Sequence, residues 1–481
     1  MTAKPAMTTT PLPLEPLRIS LKRLLKSGAR VGVLTLALCG AATAQTAPQL
    51  PLQPVLEFMP NTLDWRVADL NLETFARQLD AARAAAGLNV AGGGRYDYSN
   101  RNVGGVNTDG GNLVVSLNAS LTVLPWGPAF DAVRTATRSF ERAALDRNDA
   151  RNSIYLNAIT LYYSTRIAIQ DLELARASEA LSATQLKNAD AQLKNGVINR
   201  DAYLNIQRAS EAARVATLTA KNALEITKIG FFNAINQPVR DDVVLVTAPV
   251  ALALPQGNLE ALLSSALTRR SDVLKAKSRV DDAEDALKNA SRDRLLPASS
   301  VSVGIGQFAG QTQTGASVNA GLNLQSGVVT SSASLPVIYP ALPLNAQIGT
   351  TFTLSVQLSL PLLAPSSDAR IASAAASLES AKAGLESAQR GADLDVRQRY
   401  NDALSAGARL GVVSIGAQNA KLAAATAQTR FEAGLNTALD VESAKLTQRQ
   451  SERDLESAVA ARVNAVYRLQ NALGIFAPLS K

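Results

Sequence analysis

The 481-residue chain contains no histidine and a single cysteine, Cys39. Without imidazole, the commonest general base and the commonest metal ligand are both missing. One thiol excludes an intramolecular disulfide, and Cys/His zinc sites cannot be built. No Gly-rich loop ending in Lys-Ser or Lys-Thr occurs, which removes the usual phosphate cradle of nucleotide-driven machines. These absences point away from an enzyme, and neither a cofactor nor a metal is expected. Aromatic residues make up only 4% of a chain that is 47% hydrophobic. Much of the apolar share is alanine, which favours helix and close helix approach but fills thin cores. Helix pairs are therefore expected over globular layers.

Long apolar runs are also missing. The longest lies within residues 1–44, where Arg18, Lys22, Arg23, Lys26 and Arg30 precede Val31 to Leu38. Ala42-Thr43-Ala44 follows as a small-residue cleavage site before Gln45, the pattern of an export signal. Its apolar stretch of about 14 residues falls short of the ~20 that a spanning helix needs. Removing it takes away six basic residues and Glu15, lowering the formal charge from +8 by five to +3. The basic balance is thus partly a feature of export, and no nucleic-acid partner is inferred. Cys39 leaves with the segment, and bulky Leu38 before it argues against lipid attachment.

What is present is a repeat. Gly196 lies 71 residues after Pro125, and Gly434 lies 73 after Pro361. Asn233 and Asn471 each follow their glycine by 37 residues. Duplication on this scale reads as two copies of one strand-plus-helix unit. The division expected is an extended Pro-rich arm over 45–68, repeat 1 over 69–239, a linker over 240–258, and repeat 2 over 259–475. In repeat 1 a short helix, about Leu70 to Ala86, precedes strands at about 88–99 and 112–124. In repeat 2 a longer helix, 259–296, precedes strands at about 299–306 and 351–361. The first repeat thereby reads as lacking a short helix that the second has. A Gly/Ser/Thr/Gln-rich insertion, 307–349, has no counterpart in repeat 1 and reads as a long loop or strand extension. Helical hairpins are expected over 128–236 and 366–475. After Pro128 no proline or glycine occurs up to Lys194, so one helix of roughly 100 Å is predicted.

The strands decide the compartment. Leu113, Val115, Leu117, Ala119, Leu121 and Val123 alternate with largely polar residues, as do Phe352, Leu354, Val356, Leu358 and Leu360. A soluble hairpin resting on a core would alternate similarly. Strands of this length, however, match the ~9–11 residues needed to cross a bilayer, and their uncharged polar faces suit a lumen. A sheet in lipid must close, and four strands are too few, so copies must combine.

At this point the chain resembles the TolC-type outer-membrane efflux proteins over essentially its whole exported length. The resemblance rests on Arg270-Ser271-Asp272-Val273, Leu295-Leu296-Pro297, Leu358-Ser359-Leu360-Pro361 and Arg430-Phe431-Glu432-Ala433-Gly434-Leu435, in order and duplicated. It implies a mainly α protein with a membrane β-barrel: a homotrimer sharing one twelve-stranded barrel in outer-membrane lipid, continued by an α-helical periplasmic tunnel. It also implies a periplasmic adaptor and an inner-membrane transporter as partners. Pro125, Pro297 and Pro361 would mark strand–helix junctions. Asn195, Gly196, Val197 and Ala433, Gly434, Leu435 would form the tips that dock the adaptor, although the glycines could simply reverse the helices. Asp440 matches an aspartate that narrows the tunnel entrance, but a second acidic position is Ser443 here. Asp440 near a helix N-terminus would also be favourable without any gate. Phe431 could close the entrance or make an interhelix contact. The function implied is a passive, gated exit duct for efflux or type I secretion. The alternative is a coiled-coil envelope spacer without a pore.

Overall fold

The computed structural model describes residues 49–103, 106–240, 243–295, 298–309, 312–338, 348–359 and 365–478. The export segment read at 1–44, Pro297 and Pro361 lie outside the described residues. The chain opens on a two-residue strand, β1 (Gln49–Leu50), a short helix, α1 (Leu52–Phe58), a 3₁₀ turn over Met59–Asn61 and α2 (Leu63–Ala86). A hairpin, β2 (Asn89–Val103) and β3 (Val106–Thr122), leads to α3 (Pro128–Lys194) and α4 (Arg200–Ala234). After the two-residue β4 (Val244–Leu245) come α5 (Leu259–Arg269) and α6 (Ser271–Leu295). Four strands follow: β5 (Ala298–Ala309), β6 (Thr312–Asn323), β7 (Val328–Ile338) and β8 (Ile348–Ser359). The chain then runs through α7 (Pro365–Glu432) and α8 (Ala438–Ala472).

Three expectations are corrected. The arm at 45–68 is not extended beyond Pro51, because α1 begins at Leu52 and α2 at Leu63. Pro54 and Pro60 misled the reading. Both sit in first turns, where a missing N–H costs nothing. Repeat 1 therefore has its short helix: α1 and α2 stand to repeat 1 as α5 and α6 stand to repeat 2. The helix expected over 259–296 is two helices, broken at Arg270 in an extended conformation (φ −65°, ψ 132°). Third, repeat 2 carries four strands instead of a pair, since the 307–349 segment contains β6 and β7. Pro125 lies in the turn between β3 and α3, three residues beyond the end of the strand.

The long helices pack side by side in the order α4–α3–α8–α7, so α4 and α7 form the outer edges. Two cores tie the short helices to this layer. In the first, Val55, Leu56 and Met59 pack on Ile159, Tyr162 and Phe231. Several of the scarce aromatics gather there edge to face, with Tyr162 5.9 Å from Phe231 and 5.6 Å from Tyr163. The second uses Leu262, Leu263 and Ala266 of α5 against Val396, Val466 and Leu469. Burial pushes the Tyr163 phenol up to about 12. The Tyr162 hydroxyl donates to the Leu50 carbonyl (2.8 Å) and accepts from the Thr247 amide (3.0 Å). One buried phenol thus pins β1 and the inter-repeat linker to α3, where β1 pairs in parallel with β4.

Charged pairs cross the same seams. Arg270 binds Asp272 (2.8 Å) on α6 and Asp395 (2.7 Å) on α7, and donates to the Ala472 carbonyl of α8 (3.2 Å). Burial opposes the Arg270 charge, but the two carboxylates outweigh it and raise its pKa. The Arg-Ser-Asp-Val motif is therefore the clasp where α5 breaks into α6. Between α3 and α8, Arg166 pairs with Glu456, Gln170 donates to Glu456 (2.6 Å), and Arg453 pairs with Asp171 (2.6 Å).

Candidate functional site

The six long strands form one antiparallel sheet in the order β2-β3-β7-β6-β5-β8. Its register aligns the alternation of every strand. One row runs Gly92, Leu117, Ala333, Val318, Ile305, Phe352 across all six strands. The adjacent row runs Gly93, Ser116, Ser334, Ser317, Gly306, Thr351. Side chains alternate between faces along each strand, so the first row belongs to an apolar face and the second to a polar one, on which Arg95 and Asp97 of β2 pair with each other (2.8 Å). Leu117, Ile305, Val318 and Phe352 are exposed, as are Leu335 and Val356 on the same face. On the polar face, the Ser317 and Ser334 hydroxyls share a hydrogen bond of 2.7 Å. A sheet apolar on one side and polar on the other suits lipid outside and water inside.

The helix-proximal end of the sheet is locked to the segment that leads into α3. The Val123 and Leu124 amides both donate to the Gly327 carbonyl (2.8 and 3.2 Å), and Trp126 Nε1 donates to the Leu324 carbonyl (3.1 Å). Gly327 takes φ +68°, and a Cβ there would come within 2.7 Å of the Leu124 Cβ. The β6–β7 turn is thus fitted under the junction that contains Pro125.

At the other end of the helices, the two hairpin turns have one geometry. Asn195 caps α3, Gly196 sits at φ +73°, and the Val197 and Gly196 amides return to the Gln192 and Leu193 carbonyls (2.8 and 3.0 Å). In the second tip Gly434 sits at φ +76°, with Leu435 and Gly434 returning to Arg430 and Phe431 (2.8 and 2.9 Å). This is the six-to-one and five-to-two closure that a left-handed residue allows. A Cβ on either glycine would meet nothing within 4 Å. Asn195 and Ala433 are exposed, and Val197 and Leu435 project with 69% and 76% of their surface exposed. Large apolar side chains held out at a helical turn make a candidate docking surface.

Asp440 occupies the third position of α8. Its carboxylate accepts from the Thr437 amide and hydroxyl (2.8 Å each), while its own amide donates to the Thr437 hydroxyl (3.3 Å). This reciprocal cap holds the Asp440 carboxyl below its ordinary range, through the backbone bond first and the hydroxyl second. The charge is thus fixed at the tip and exposed to solvent. Ser443 is exposed one turn further on, and neighbouring Glu442 pairs with Lys445 (3.5 Å). Phe431 is 42% exposed at the last turn of α7, so no interhelix contact within the chain fully covers it. Pro125 stands at the opposite end of α3, and the structure does not bring it near the tips. The matching cap of α4 is plainer: Asn199 accepts from the Ala202 amide (2.8 Å).

Sequence reasoning missed the outer helix edges. Val215, Leu218 and Ile226 on α4, and Val412, Ile415 and Leu422 on α7, are exposed. These are the two long helices with a single long-helix neighbour, α3 for α4 and α8 for α7. The signal was available as apolar residues left over from the α3–α4 and α7–α8 seams.

Among the described residues no helix is long and apolar enough to cross a membrane. A sequence profile described as outer membrane efflux protein matches residues 59–237 and 262–475. No curated protein matches the chain in sequence. Among solved structures, a membrane protein from Pseudomonas aeruginosa is similar at 16% identity and TM-score 0.66, covering 88% of this chain and 93% of that one. The Campylobacter jejuni CmeC outer membrane channel is similar at 15% identity and TM-score 0.66, covering 89% and 87%. The open state of the Neisseria gonorrhoeae MtrE outer membrane channel is similar at 18% identity and TM-score 0.63, covering 88% and 89%.

Proposed function

The chain belongs to the outer membrane efflux protein family, and from that premise we propose that three copies close one transmembrane channel that conducts cargo passively out of the cell. The observation that carries this reading is the sheet itself: a largely apolar face backed by a polar one whose charges, Arg95 and Asp97, pair with each other, with both edges unpaired among the described residues. Open edges are not tolerated in hydrocarbon, so copies must supply the missing partners. The exposed apolar residues of α4 and α7 support the same arrangement, since α4 of one copy would cover α7 of the next.

In this reading the α4–α3–α8–α7 layer becomes the wall of a periplasmic tunnel. A periplasmic adaptor docks on Asn195, Gly196, Val197, Ala433, Gly434 and Leu435, and an inner-membrane transporter supplies the energy. Asp440, Ser443 and Phe431 stand at the entrance, where Asp440 contributes a fixed negative charge and Phe431 an apolar constriction. Pro125, Pro297 and Pro361 mark the passage from barrel to tunnel. Cells lacking the protein should retain a fluorescent efflux substrate or lose a secreted protein, with restoration by the intact gene. Unchanged retention and an unchanged secretome would contradict an export role and favour the spacer.

A further inference from the structure

Resting on the reading that copies of this chain close one barrel in lipid, we propose that the barrel has eighteen strands, six from each of three copies, with the β6–β7 hairpin forming part of its wall. Four observations carry this.

The hairpin lies between the two strand pairs of the repeat. β3 pairs with β7 from Leu113/Ile338 to Thr122/Val328, and β6 pairs with β5 from Ser300/Asn323 to Ala309/Thr312. β3 and β5, which would be neighbours without the hairpin, are separated by two strands. At strand spacing that gap is roughly 14 Å.

Strand direction also permits closure. β2, β7 and β5 run one way, and β3, β6 and β8 the other, because every pair is antiparallel. The free edges, β2 and β8, therefore run in opposite directions, so β8 of one copy can pair antiparallel with β2 of the next. Adding a hairpin keeps this alternation, whereas adding one strand would force a parallel pair.

The hairpin carries the same two faces as its neighbours. Val318 and Leu335 lie on the apolar face, Ser317 and Ser334 on the polar one. A plug folded into an aqueous lumen would gain nothing from an exposed apolar row, but a wall strand in lipid requires one.

Finally, the inner turn of the hairpin is fastened to the strand–helix junction by the Val123, Leu124 and Trp126 hydrogen bonds. Gly127 is a consequence of that contact, since a Cβ there would lie 2.4 Å from the Ser326 carbonyl. The wall so formed is about 1.5 times as wide as one of twelve strands. Each chain still supplies only four long helices, so the duct narrows from barrel to tunnel like a funnel.

Cysteine pairing in the full-length protein, in native outer membranes, tests this, because Cys39 is the sole native thiol and Cys39→Ser removes it. The pairs Leu117→Cys with Ala333→Cys, and Val318→Cys with Ile305→Cys, should cross-link within a chain on mild oxidation. Leu117→Cys with Ile305→Cys should not. Cysteines at Gly92, Gly94 or Tyr96, combined with cysteines at Phe352, Leu354 or Val356, should convert monomer to covalent trimer in one register. Cross-linking of Leu117→Cys with Ile305→Cys, without the two hairpin pairs, overturns the eighteen-stranded wall and leaves a channel of fewer strands. Hairpin cross-links with no interchain product in any register overturn barrel closure, and with it the channel reading. Heat-modifiable migration of each variant on gels shows that it has folded.

Discussion

At the scale of single residues, the backbone conformation of three glycines separates turns built for space from turns built for contact. Gly196 and Gly434 need positive φ but have open surroundings. Alanine at either should cost only the left-handed penalty, about 1 kcal/mol. Gly327 needs positive φ and also has Leu124 where a Cβ would go, so Gly327→Ala should lower the melting temperature of the assembled protein more than either tip substitution. Equal shifts at all three sites would remove the junction argument. Asp440 makes a second prediction. Its carboxyl is held below the ordinary carboxylate range by the Thr437 amide and hydroxyl, so its cap is complete above that range and is lost only as pH falls through the lowered value. Asp440→Ala should raise resting conductance or change cation selectivity. The parent protein should show no titration of either property between pH 5 and 8 that depends on Asp440. Unchanged traces in the variant would leave Asp440 as a helix cap alone. The Thr437–Asp440 cap was legible in sequence as a Thr followed three residues later by an acid, yet only the structure shows that the carboxylate is already engaged by Thr437. The tip glycines were legible because positive φ leaves few residue choices.

At the scale of elements, what could be read was governed by local signals. α3 was legible because no proline or glycine follows Pro128 up to Lys194, and α7, which holds five glycines, because it repeats α3; the equal spacing of Gly196 and Gly434 from the downstream asparagines fixed the returns. α1 was hidden by prolines whose harmless first-turn placement depends on knowing where the helix begins. β6 and β7 were only partly legible: Val318, Ala320 and Leu322 alternate in β6, but the Gly/Ser/Thr/Gln-rich segment around them reads as a loop. Their strand character comes from pairing with β3 and β5 on both sides, a tertiary effect that propensity does not carry. Burial of Arg166 in the α3–α8 seam was likewise invisible, since its partner Glu456 lies 290 residues away. Removing that partner leaves a largely buried guanidinium and Gln170 short of an acceptor. Glu456→Ala should therefore destabilise the assembly by about 3 kcal/mol, read in denaturant unfolding. A change within error would mean that water replaces the carboxylate. Tyr162→Phe should release β1 and the linker, at about 1 kcal/mol for each lost hydrogen bond. Faster proteolysis near Leu50 and Thr247 checks it, and unchanged cleavage contradicts it.

For the whole molecule, the duplication sets a wall and its asymmetry sets the dimensions of that wall. Two similar halves give four long helices in one layer, while the extra hairpin of the second half gives six strands instead of four. The surplus apolar surface lies on the apolar face of the sheet and on the α4 and α7 edges, where no described residue of the chain covers it. Lipid and further copies of the chain are the coverings that fit. The account stands on the claim that these copies enclose a continuous water-filled path. Single-channel recording of the purified, trimeric full-length protein in planar lipid bilayers tests that claim most directly. Discrete, reproducible conductance steps, larger or more frequent in Asp440→Ala than in the parent, are the predicted result. Silence from both proteins, despite confirmed insertion and trimeric migration, would contradict the account.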